Sequence, residues 1–137
     1  MRAKYSLMLA GFGMLLTAMP AMAHHSFAAE FDANKPVTLK GTVAKIDWMN
    51  PHIWIYLDVK DDAGAVARWQ CEGGPPNSLT RNGWTKDALK IGDEVTISGF
   101  KAKDGTNTCN SRSVKLPSGR SVFAGSADGG PRGEREQ

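Results

Sequence analysis

From residue 52 to residue 59 the chain alternates strictly. Ile53, Ile55, Leu57 and Val59 share one parity, and His52, Trp54, Tyr56 and Asp58 share the other. Period-two alternation predicts a half-buried β-strand whose isoleucines face a core while His52, Trp54 and Tyr56 face away. Upstream, Pro36 introduces a longer segment, 37–47, in which Val37, Leu39, Gly41 and Val43 keep one parity until Ile46 breaks it. A phase change just after a glycine predicts a bulge or sharp bend within a single strand. Asp61-Asp62-Ala63-Gly64 reads as a hairpin turn into a third strand over 65–72, which Gly73-Gly74-Pro75-Pro76 ends. A helical interlude is expected next, with Asn77 or Ser78 capping a turn that ends near Gly83 and Thr85 capping 86–90. Further strands follow at 94–100 and 111–116, with a short sixth around Val122.

The order is long bent strand, strand, strand, helix, strand, strand. It predicts a mostly β chain: a small OB-like barrel of five to six strands with a short helix between strands 3 and 4. Another small open β-barrel or sandwich fits the same pattern less closely. The ends read differently from this domain at 37–123. Residues 1–23 have the form of a secretory signal: Arg2 and Lys4, a short apolar core, then Pro20 and the small-x-small site Ala21-Met22-Ala23. The expectation is a signal helix cleaved after Ala23 and export to the periplasm, with no membrane span left in the mature protein. Residues 24–36 read as an arm anchored by Phe27 and Phe31, and 124–137 as a disordered tail of Gly, Ser, Pro and charge.

Charge removes one class of partner. Arg2 and Lys4 leave with the signal, so the formal charge falls from +3 to +1. That balance gives no support to a nucleic-acid partner. The two cysteines, Cys71 and Cys109, both lie in the exported portion, where a disulfide is the expected state. A thiolate metal site is the weaker reading, because the spacing is not Cys-x-x-Cys and no histidine lies near either residue in sequence.

The three histidines carry the candidate chemistry. Cleavage after Ala23 would make His24 the first residue, with His25 behind it. A terminal histidine can bind copper(II) through its amine and its own Nδ1. A second imidazole then completes a T-shaped set of three nitrogens, a histidine brace, and such nitrogen donors suit copper. His52 is the expected third ligand. His25 is less apt, because adjacent side chains of an extended arm point opposite ways. Met49 could add a soft thioether favouring copper(I). The plainer alternative is that His24 and His25 are a polar start, and that His52 braces the Asn50-Pro51 turn.

A second candidate is the face carrying His52, Trp54 and Tyr56, with Trp48 just before it. Such a face could stack on a flat or glycan ligand, or hold an envelope protein, without any metal. For Trp48, Trp69 and Trp84 individually, packing is the commoner role of so large a ring. No catalytic set stands out. Ser26 lacks a base and an oxyanion hole, and the acidic residues at 58–62 belong to a turn. The function expected is thus binding or carriage of a metal ion or small ligand, with a copper-dependent oxidase the least supported reading.

Several of these motifs recur together. His24-His25-Ser26-Phe27 with Glu30-Phe31-Asp32, Gly41-Thr42-Val43, Trp48-x-Asn50-Pro51-His52, Gly83-Trp84 and Gly92-Asp93-x-Val95 appear in this spacing. The set resembles the uncharacterised exported bacterial proteins grouped as a domain of unknown function. The resemblance covers about residues 24–122. It implies a periplasmic location and a small β fold, and it brings no activity or catalytic residues. Neither the cysteine pair nor the charged tail belongs to that pattern.

Overall fold

A computed structural model of the chain describes residues 27–125. The expected signal, His24, His25 and residues 126–137 of the expected tail lie outside the described residues. The elements are α1 (Phe27–Glu30), β1 (Phe31–Asp47), β2 (Trp54–Lys60), β3 (Val66–Glu72), α2 (Pro76–Arg81), β4 (Glu94–Ala102), β5 (Thr108–Lys115) and β6 (Ser121–Phe123). The fold is mostly β, as the alternation predicts, with α2 between strands 3 and 4.

Neighbouring strands run in the order β3-β2-β1-β4-β5-β6, and a further pairing joins β3 to β5. That last pairing is parallel and short, from Gln70↔Thr108 to Glu72↔Asn110. It closes β1 to β5 into a ring of five strands, the arrangement anticipated for an OB-like chain, and leaves β6 as an addition on β5. The closure is covalently reinforced. Cys71 and Cys109 face each other in that register and form a disulfide with Cα atoms 4.5 Å apart. A link between residues 38 apart in sequence stabilises the fold by about 2–4 kcal/mol through the unfolded chain.

The expected phase change in β1 is a bulge. Val43 pairs with Leu57 and Lys45 with Tyr56, so Ala44 is the extra residue. Gly41, just before it, permits a close approach: a Cβ there would lie 2.7 Å from the backbone oxygen of Asp58. Gly99 plays the same part between β4 and β5, where a Cβ would fall 2.0 Å from the Asn110 oxygen. Inside the ring, Val43, Ile53, Ile55, Leu57, Ile97 and Val114 are buried, and Leu79, Trp84 and Leu89 join the same core.

Four local expectations are corrected. β1 begins at Phe31, within the segment read as an arm, because Phe31 pairs with Ala102 and Lys103 N–H bonds the Glu30 oxygen. The α2 N-terminus has Pro75 at its cap with no side-chain hydrogen bond, so neither Asn77 nor Ser78 caps it. Residues 86–90 form turns and bends, not a helical turn. Ala124, expected in the tail, is buried, with its N–H on the Arg112 oxygen.

Candidate functional site

Register builds the site. Phe100 lies opposite Asn110, Asn110 opposite Glu72, and Glu72 opposite Trp54. Directly opposed residues project from the same side of a sheet. These four therefore form one row across β4, β5, β3 and β2. Ile53 and Ile55 point inward, so the row with Trp54 is on the outside of the ring.

An outer row of this kind would ordinarily be wet. Here α1 folds over one end of it. The Phe27 ring meets Phe100 edge-on at 5.5 Å and stacks on Phe31 at 5.8 Å. Arg112, two residues along β5 from Asn110, sets its guanidinium near both the Phe27 and Phe100 rings. Lys103 Nζ donates to the Ala28 carbonyl at 2.6 Å, tying α1 to the β4–β5 connection. The polar members of the row are left nearly sealed, with Glu72 9% exposed and Asn110 5%.

His52 stands on the same outer side, in the loop that enters β2 just after the cis Asn50-Pro51 bond. Its Nδ1 is in direct contact with Glu72 Oε1. The Asn110 side chain also hydrogen-bonds the Glu72 carboxylate. Burial pushes the Glu72 carboxyl above its ordinary value. His52 and the Asn110 bond draw it back down, while the nearby Glu30 charge adds to the rise. Asn110 Oδ1 is buried and accepts no hydrogen bond among the described residues. A carboxylate holding one ring nitrogen of a histidine orients the ring and directs Nε2 outward, which is the usual support of a metal-binding histidine.

Beside this row lies an open cleft of about 610 Å³, lined by Glu30 of α1, by Trp54 and Gln70, and by Thr106 and Thr108. Its wall is a hydrogen-bonded chain. Gln70 Nε2 donates to Thr108 Oγ1 at 3.0 Å, the Thr106 and Thr108 hydroxyls meet at 2.8 Å, and Thr106 donates to Asp104 Oδ1 at 2.7 Å.

The sequence-based candidates fall as follows. His52 sits in a polar pair, and its partner is Glu72, not the Asn50-Pro51 turn. Trp54 is half-buried and lines the cleft, whereas Tyr56 lies under Lys45 Nζ at 5.0 Å and outside that lining. Trp48 packs against the core and its ring is 6.3 Å from that of Trp84, whose Nε1 donates to the Phe123 oxygen at 2.7 Å. Met49 is exposed. Cys71 and Cys109 are bridged. His24 and His25 lie outside the described residues. Among the described residues no three His, Cys, Asp or Glu side chains gather closely enough to hold a metal. No described helix is long and apolar enough to cross a membrane.

Comparison with known proteins identifies the group but not its activity. A family model described as "Family of unknown function (DUF6152)" matches residues 13–111. The chain belongs to this family. The matched span contains His52, Glu72 and Asn110, so the outer polar row falls within the family domain. No curated protein and no solved structure matches the chain significantly.

Sequence reading missed Glu72, Asn110, Gln70 and the two threonines. Parity does place Glu72 opposite the inward Cys71. Nothing in the sequence says that His52 meets it, because that contact depends on the β2–β3 register and on the loop before β2.

Proposed function

We propose that the protein is exported to the periplasm and carries copper(II). The amine and imidazole of a mature N-terminal His24 and the imidazole of His52 are its ligands. The observation that carries this reading is the half-buried His52 with its Nδ1 on Glu72, which reserves Nε2 for an outside partner. The anchoring of α1 supports it further. Phe27 is packed on the same outer row as Glu72, three residues after His24. Three residues span at most about 10 Å, so a terminus freed at His24 is tethered near this row. An amine with an ordinary pKa of about 7.7–8.0 gives up its proton to a metal readily.

The test uses correctly processed protein. Mass spectrometry should show His24 as the first residue. Copper titration followed by electron paramagnetic resonance should give a nitrogen-rich type 2 spectrum. His24→Ala and His52→Ala should each weaken binding by at least about tenfold. Unchanged affinity in both variants rejects the copper reading.

A further inference from the structure

The cleft has chemistry of its own that copper binding does not use. Its volume of about 610 Å³ suits a small molecule. Trp54 supplies the larger exposed apolar surface of the lining; Phe31, the other aromatic there, is buried. Beside Trp54 on the same outer face is the polar chain of Gln70, Thr108, Thr106 and Asp104. Each hydroxyl has one proton, and the bonds impose a direction. Gln70 donates to Thr108, Thr108 to Thr106, and Thr106 to the Asp104 carboxylate, whose oxygen also takes the Thr106 backbone N–H. The chain fixes the Gln70 amide and leaves its Oε1 and second N–H for a ligand. It is held rigid by the adjacent β3–β5 pairing and by the disulfide one residue away.

Charge narrows the ligand class. The cation in the described lining is Lys103, which gives one hydrogen bond to the Ala28 carbonyl and keeps its charge. Glu30 and Asp104 add carboxylates, which repel an anion. One flat apolar platform beside oriented amide and hydroxyl groups, in a lining whose two carboxylates outnumber its one ammonium, matches a neutral ring that is apolar on its faces and hydroxylated at its edge.

We propose that this cleft binds a neutral saccharide, with one sugar ring stacked on Trp54 and its hydroxyls hydrogen-bonded to Gln70 and the threonine wall. The site lies beside the proposed copper ligands and does not depend on them.

The test follows the tryptophan indole N–H signals by nitrogen-15 NMR in the exported protein, with a chelator present so that metal plays no part. The probes are maltose, cellobiose and the disaccharide of N-acetylglucosamine at millimolar concentration, with glucose 6-phosphate as the anionic counterpart. At least one neutral sugar should shift the Trp54 signal saturably, and glucose 6-phosphate should bind at least about tenfold more weakly. Trp54→Ala should weaken the bound sugar by about tenfold or more, and Gln70→Ala, which leaves the stacking surface intact, by several-fold. Trp54→Phe serves where the alanine variant does not fold. Failure of all three neutral sugars to shift Trp54, equal binding of the phosphorylated sugar, or unchanged affinity in the Trp54 and Gln70 variants overturns the proposal.

Discussion

Inside the ring, Ile53, Ile55 and Leu57 are fully buried among aliphatic neighbours; outside it, on the adjoining strand, Glu72 is almost as well covered and is a carboxylate. Two physical terms account for the two sides. The inner side gains from removing apolar area from water and asks only for good packing. The outer row, under α1, asks that each polar atom find a partner, since a buried group left without one costs more than its bond would add. His52, Glu72 and Asn110 meet that demand mostly by one another. A chain that needed only stability could have kept this row apolar. The polar groups are held there at a cost, and that is why the row, and not the core, is the place to look for function.

The contrast can be broken from either side. The largest effect should come from Ile55→Ala, which opens a cavity in the packed interior and should lower the unfolding free energy by about 2–5 kcal/mol in urea titrations. A much smaller loss would mean that the interior is loosely packed. Glu72→Leu tests the outer row. It adds apolar volume yet strips His52 and Asn110 of their shared acceptor, and should cost about 1–3 kcal/mol. Glu72→Gln keeps an acceptor in place and should recover most of that loss. If leucine is neutral or stabilising, the row is ordinary packing.

The smallest effect belongs to an exposed ion pair on the same strands. Arg68 Nε meets Asp58 Oδ1 at 2.5 Å and holds the Asp58 carboxyl below its ordinary value of 3.8. A depressed carboxyl pKa adds stability above the unfolded value and loses it as the pH falls through the folded one. Asp58→Asn should therefore melt slightly below the parent protein at neutral pH, and the two curves should converge in strong acid. Because the pair is solvent-exposed, the difference at neutral pH should be small and should shrink in high salt. A gap that persists in acid would show that packing, not charge, is responsible.

Much of the strand plan was legible. β2 was clear because its alternation is unbroken, and the bulge in β1 because Ile46 changes phase after Gly41. The early start of β1 was not. Residues 31–36 do not alternate, and they are held as strand by Phe31↔Ala102 and by the bond from Lys103 to Glu30. Thr85 looked like a helix cap, but the segment after it instead turns to bring Gly92 N–H to the Val43 oxygen. At the candidate site, parity put His52, Trp54 and Tyr56 on one face, and it could not show that Trp54 lines the cleft while the Tyr56 ring lies under Lys45 of β1.

Read alone, the amino-acid sequence determined which stretches become strands, which side of each strand is apolar, where β1 must kink and that two cysteines are available to pair. These follow from the two-residue repeat of an extended chain and from glycine's freedom at close contacts, both local properties. Only the tertiary structure decided that β3 would lie parallel to β5, that Glu72 would fall between His52 and Asn110, that α1 would cover one end of the outer row, and that Trp54 would share a cleft with amide and hydroxyl groups. Those outcomes depend on register between strands far apart in the chain, which is set by ring closure and by the packing of α1 against β4.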